Sequence, residues 1–170
     1  MSGCVSFNIN YNETCEINTT PLDFHNSNII KDSLWSIFEK GHCGLGRNTT
    51  TSCLLLLYEE AWHGGRDICL SGHGDLVKIA SESDNHEISV MLSDMFPGTL
   101  VLVWIGLNKV SSEEFIWPDM TPLSFNKFGN GQPDTARNCV LLTGSNLNSY
   151  YWVTRSCSET WTYICERRNK

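Results

Sequence analysis

Trp104-Ile105-Gly106-Leu107, Trp117-Pro118-Asp119, Gly131-Gln132-Pro133-Asp134, Asn138-Cys139-Val140-Leu141-Leu142, Trp152-Val153-Thr154-Arg155-Ser156-Cys157 and Tyr163-Ile164-Cys165-Glu166 succeed one another in the second half of a 170-residue chain. The first of them closes the nearly all-apolar run Leu100 to Leu107, the pattern of a central strand buried on both faces. Phe115 to Trp117 predicts a further short strand, and Val140 to Leu142, Tyr151 to Val153 and Trp161 to Cys165 predict the closing strands. Between Pro118 and Arg137 the strand pattern lapses and Gly, Pro, Asn and Asp accumulate. A long unpatterned stretch inside a patterned domain predicts a loop.

Toward the N-terminus, Asp84 with Glu87 three residues on resembles a capping box, and Ile88, Met91, Leu92 and Met95 supply one buried helical face that ends at Pro97-Gly98. Trp62, Gly65 and Cys69, three and four residues apart, share one face of a short helix that Gly72 and Gly74 break. Leu54 to Tyr58 predicts a buried strand, preceded by a turn-rich segment between Cys43 and Cys53. Residues Met1 to Gly41 are rich in Asn and Thr, with helical spacing only at Ile30, Leu34, Ile37 and Phe38, within Ile29 to Lys40. The expected division is an N-terminal glycosylated appendage or neck over 1–41 and one domain over 42–168.

Nineteen acidic against 12 basic residues give a net charge of -7, a field that repels polyphosphates and argues against nucleic-acid binding. The longest apolar run, Leu54 to Leu57, falls far short of the roughly 20 residues of a membrane span, so no membrane insertion is expected of this stretch. Eight cysteines without a C-x-x-C pair point to disulfides rather than zinc, and hence to an oxidising compartment. The glycan-acceptor sequons at Asn12, Asn18 and Asn48 agree. Met1 to Val5 lacks the basic and apolar segments of a signal peptide, so Met1 is expected to begin a trimmed or recombinant ectodomain.

Catalytic patterns are missing from the sequence. His86-Glu87 would need a second histidine where Val90 stands, and His25, His42, His63 and His73 lack the spacing of a metal pair. There is no nucleophile elbow, phosphate loop or placeable pair of acid and base carboxylates, so the chain is not expected to be an enzyme.

The ordered set, together with Trp62-x-x-Gly65-x-x-x-Cys69, resembles a C-type lectin-like domain over residues 43–166. That resemblance implies an α+β C-type lectin-like fold, disulfide-stapled, with two short helices flanking antiparallel sheets and a long irregular loop that meets the ligand. It implies the disulfides Cys69–Cys165 and Cys139–Cys157, leaving Cys43–Cys53 and Cys4–Cys15 to pair by proximity. It assigns Trp62, Trp104, Trp117, Trp152 and Trp161 to the core rather than to a stacking platform, leaving Trp35 unassigned, and makes Pro133 cis.

In calcium-binding relatives the ion takes oxygens from the outer residues of the Q-P-D triplet, from an acid two residues before the next cysteine, and from the Asn-Asp of a W-N-D motif. Gln132 and Asp134 keep the first pair, but Arg137, Val153 and Thr154 stand at the other positions. Calcium wants six to eight oxygens, and a guanidinium about 4 Å from a divalent ion costs roughly 8 kcal/mol at an effective dielectric of about 20, before solvent screening. The resemblance therefore implies an extracellular or cell-surface recognition module whose long-loop face, with Gln132, Asp134, Arg137 and Tyr150, binds a protein or glycan ligand on a cell surface or in extracellular fluid. No cofactor is expected, Arg137 is expected to pair with Asp134, and self-association into an oligomer stays open. The alternative is a calcium-dependent (Ca2+) galactose-type lectin that uses Gln132-Pro133-Asp134, with Gln132 and Asp134 as metal ligands.

Overall fold

The computed structural model describes residues 8–9, 15–16, 52–109 and 114–168. Strands β1 (Asn8–Ile9) and β2 (Cys15–Glu16) pair antiparallel with Ile9 opposite Cys15, a small ladder in a segment whose sequence carries no strand pattern. The helix expected over Ile29 to Lys40, Trp35, the glycan acceptors Asn12, Asn18 and Asn48, and Cys4 and Cys43 lie outside the described residues.

The domain proper runs β3 (Ser52–Ala61), α1 (Trp62–Ser71), β4 (Asp75–Leu76), α2 (Glu82–Met95), β5 (Val101–Asn108), β6 (Cys139–Gly144), β7 (Tyr151–Arg155) and β8 (Thr160–Arg168). The main sheet has the order β3-β8-β5-β6-β7, with β4 also paired to β8. Its pairs are antiparallel, as expected, except β5 with β8, which run parallel with Trp104 opposite Tyr163 and join the antiparallel parts into one mixed sheet. The chain reaches β8 last and enters between β3 and β5, which sets it parallel to β5.

Period-two alternation buries both faces of this sheet. Val103, Ile105, Leu107, Val140, Leu142, Trp152 and Ile164 pack on one side with Ile88, Met91 and Leu92 of α2. Trp104, Cys139, Leu141, Val153, Tyr163 and Cys165 pack on the other with Trp62 and Cys69 of α1. The helices thus cover opposite faces, and each large side chain so buried stabilises by roughly 1.5–3 kcal/mol. The two central indoles also bond to backbone across the core: Trp62 Nε1 donates to Ile105 O at 2.8 Å and Trp104 Nε1 to Glu60 O at 3.0 Å. At Gly65 a Cβ would stand 3.1 Å from Tyr163 Cγ, so the missing side chain is what lets α1 lie this close to β8.

Helix α1 ends at Gly72, whose backbone N–H returns to the last turn. The cap of helix α2 lies three residues before the one expected at Asp84, and the helix itself begins at Glu82. Ser81 is its cap, accepting from Asp84 N at 3.2 Å, while Asp84 Oδ2 reaches back to accept from Ala80 N at 2.8 Å. Met95, expected on the buried face, is 42% exposed because the helix ends there and the chain turns away. Phe115 to Trp117 forms no strand: Ile116 makes single bridges to Asn108 and Pro122. Trp161 is only half-buried, its Nε1 donating to Glu159 Oε2 at 3.2 Å, whereas Trp62, Trp104, Trp117 and Trp152 are fully buried.

Disulfides join Cys69 of α1 to Cys165 of β8, across 96 residues, and Cys139 of β6 to Cys157 in the β7–β8 turn. Cys53 is also disulfide-bonded. On the chain-entropy account the long bridge contributes roughly 4–5 kcal/mol.

Candidate functional site

The segment between β5 and β6 lies over the free edge of β7 and is fastened at three levels. At its base Trp152 meets the rings of Trp117, Phe125 and Phe128 in T-shaped contacts, with ring centroids 5.6–5.8 Å apart. Above them the backbone of Trp152 donates to Lys127 O at 2.8 Å and accepts from Gly129 N at 3.0 Å. A Cβ on Gly129 would stand 2.5 Å from Tyr151 Cδ2, so only bare backbone fits against that ring. At the opposite corner, Lys78 Nζ holds the Trp117-Pro118-Asp119 turn through Asp119 Oδ2 at 2.7 Å and Thr121 Oγ1 at 2.6 Å. Partial burial would raise the Asp119 pKa, but the hydrogen bonds from Lys78 and Thr121 and the charge of Lys78 prevail, lowering it to about 2. Arg66 braces the same turn from α1, bonding Asp75 with Nε and Nη2 and Pro118 O with Nη2 at 3.3 Å.

The Gln132–Pro133 peptide is cis. Gln132 Oε1 accepts from Thr154 N at 2.8 Å and Thr154 Oγ1 at 2.7 Å, with Asp134 N a longer third donor at 3.4 Å. Thr154 Oγ1 in turn accepts from Asp134 N at 2.8 Å. Because a backbone N–H only donates, the Gln132 atom turned to β7 is its carbonyl oxygen. Asp134 Oδ1 accepts from Ala136 N at 2.9 Å, and Oδ2 stands 3.8 Å from Arg137 Nε, with both side chains about half exposed. That ion pair is loose and contributes little by itself. On the β5 side, Lys109 Nζ donates to Thr135 O at 2.6 Å and Lys109 N to Asn138 O at 2.8 Å.

Gln132, Asp134 and Arg137 are therefore brought together, and Tyr150 is not among them. Its ring is 5% exposed within the core, so it presents no surface to a ligand; the exposed ring beside the loop belongs to Tyr151, at 44%. Sequence reasoning took Tyr150 from the Tyr150-Tyr151 pair and missed Lys109. The period-two pattern carried the first signal, since a buried Trp152 puts Tyr150 on its own side of the strand and Tyr151 on the other. Beyond Arg137 an open depression of about 500 Å³ runs to the first turn of α1, lined among others by His63, Asn138, Ser156 and Ser158.

Calcium takes six to eight oxygen ligands. The Gln132 oxygen is turned inward on two donors, Thr154 offers a hydroxyl already shared with Asp134, and Arg137 places a cation next to the remaining carboxylate. Among the described residues no three His, Cys, Asp or Glu side chains converge as a metal site. What the arrangement offers instead is a preformed polar rim with one exposed aromatic ring.

The family model for the Lectin C-type domain matches residues 58–167. An alpha-N-acetylgalactosamine-specific lectin from Patiria pectinifera is 30% identical over 112 residues, covering 64% of this chain and 67% of that protein. C-type mannose receptor 2 from Homo sapiens is 26% identical over 154 residues, covering 88% of this chain but only 9% of the receptor. In the fold, the chain is similar to the mouse scavenger receptor C-type lectin carbohydrate-recognition domain, with a TM-score of 0.64, 24% identity, and coverage of 75% of this chain and 96% of that one.

Proposed function

This chain belongs to the C-type lectin domain family, and we propose that it is a non-enzymatic, extracellular or cell-surface recognition module that meets a protein or glycan ligand on its long-loop face without calcium at the principal site. The observation that carries the reading is the inward engagement of Gln132 Oε1 by both donors of Thr154. With that oxygen committed and Arg137 beside Asp134, an arriving calcium ion would have to break two hydrogen bonds and stand next to a guanidinium. The ligand face comprises Gln132, Asp134 and Arg137, with Tyr151 in place of Tyr150, and continues into the depression at Asn138 and Ser158. Disulfides that cross the domain agree with an oxidising compartment.

A second reading, the calcium-dependent galactose-type lectin, is favoured by the retained Gln132-Pro133-Asp134 triplet and by likeness to the Patiria lectin, which is named for N-acetylgalactosamine. A glycan array probed with and without chelator separates the two. Binding that persists in chelator supports calcium-free recognition. Binding to galactose-type sugars that chelator abolishes overturns it.

A further inference from the structure

Lys109 follows the last residue of β5 and is 9% exposed, yet it carries an amine into a part of the molecule where the chain around it is exposed. Thr135, Ala136, Arg137 and Asn138 are all exposed, so no burial of their own side chains fixes their path. What fixes it is hydrogen bonding. Arg137 N donates to Asp134 O at 3.0 Å and Ala136 N to Asp134 Oδ1 at 2.9 Å, but both bonds are internal to the segment and would travel with it. The tethers to the sheet are Thr154 at the Gln132 end and Lys109 at the Asn138 end.

We propose that the Lys109 ammonium is the internal cation that holds the Thr135–Asn138 segment, and with it the ligand-facing side chains of Asp134 and Arg137, in one conformation. A cation drawn out of water requires good acceptors, and Thr135 O at 2.6 Å is a short, charge-assisted one. The Phe115 ring, its centroid 5.4 Å from Nζ, gives the ammonium a second favourable face. Lys109 N, donating to Asn138 O at 2.8 Å, pins the other end of the same segment, so one residue grips the stretch twice. Lys109 is a positioning residue: it orders the rim from beneath without touching a ligand. The proposal rests on reading this segment as ligand-bearing, but its test uses no ligand, so a blank glycan array would leave it intact.

Trypsin cleaves after Arg137, in the middle of the segment, and the rate of that cut in the full chain reports how often the segment opens. Lys109→Met should speed cleavage after Arg137 by about tenfold, the factor carried by one lost charge-assisted hydrogen bond of ordinary strength. Lys109→Arg, which keeps the charge and the reach, should stay within about twofold of the parent, and chelator should not change the parent rate. Cleavage by Lys109→Met at the parent rate, or protection in the parent that chelator removes, would overturn the proposal. If Lys109→Met unfolds globally, hydrogen exchange in the parent decides: a protected Lys109 amide, which donates to Asn138 O, supports the tether, and exchange there at the unprotected rate overturns it.

Discussion

Thr154 donates twice to one oxygen of Gln132, 22 residues earlier in the chain: its backbone N–H at 2.8 Å and its hydroxyl at 2.7 Å both end on Oε1. Thr154 lies on β7, the edge strand of the sheet, where an unpaired backbone N–H would otherwise await a partner. A side-chain amide thus completes the ladder that Lys127 and Gly129 begin at Trp152. The same contact fastens the loop and occupies the atom that a metal would use.

Thr154→Val keeps the shape of the side chain and removes the hydroxyl, leaving Asp134 N without its nearest acceptor and Gln132 Oε1 with one strong donor fewer. Urea unfolding should register a loss of about 1–2 kcal/mol, the cost of a buried hydrogen bond whose partners stay behind. An unchanged midpoint would mean that the loop is held elsewhere.

Calcium that binds only the folded protein must raise its melting temperature. Millimolar calcium should leave the parent's melting curve unmoved. Replacing Arg137 by Glu and Thr154 by Asp removes the cation and adds two carboxylates beside Asp134, and that double variant should gain a calcium-dependent shift. Sub-millimolar binding to the parent by calorimetry, lost in Asp134→Ala, would contradict the calcium-free reading.

Asp119 carries a pH dependence whose sign follows from its shift. Its folded-state pKa, about 2, lies below the ordinary 3.8, so the unfolded chain binds protons more readily as the pH falls through this range. The stabilisation is present above about pH 4 and is lost between about pH 4 and 2. Asp119→Asn should flatten the fall in melting temperature over that window, by an amount reduced because the carboxylate is half exposed. An identical acid profile in the variant would detach the Lys78 contact from stability.

Gly129→Ala brings a methyl onto the Tyr151 ring. Because Tyr151 is 44% exposed, the ring can swing outward, and stability should change by less than about 1 kcal/mol while the ring leaves its resting position. If Tyr151 belongs to the ligand face, Gly129→Ala and Tyr151→Ala should weaken binding alike. Binding indifferent to both would remove Tyr151 from that face.

Several elements were legible in the sequence for simple physical reasons. The apolar runs at Leu100 to Leu107 and Val140 to Leu142 became β5 and β6, since only a strand buried on both faces tolerates so little polar alternation. Trp62, Gly65 and Cys69 became the buried face of α1 because helical spacing stacks them. The start of α2 was less legible: Asp84 is a good cap residue in isolation, and only the backbone path shows Ser81 in that role with Asp84 reaching back. Met95 had the right spacing but lay where the helix stopped, beyond what periodicity can tell.

The sequence by itself determined the two-faced sheet, the helical faces and which residues occupy the candidate loop, because burial acts on each residue's type and repeats with the period of its element. Tertiary structure alone decided that Gln132 turns its oxygen to Thr154 and that Lys109 reaches Thr135. These depend on where an aperiodic loop lies against an edge strand. A hydrogen bond of about 1 kcal/mol exists or fails within tenths of an ångström, a distance that no residue pattern encodes.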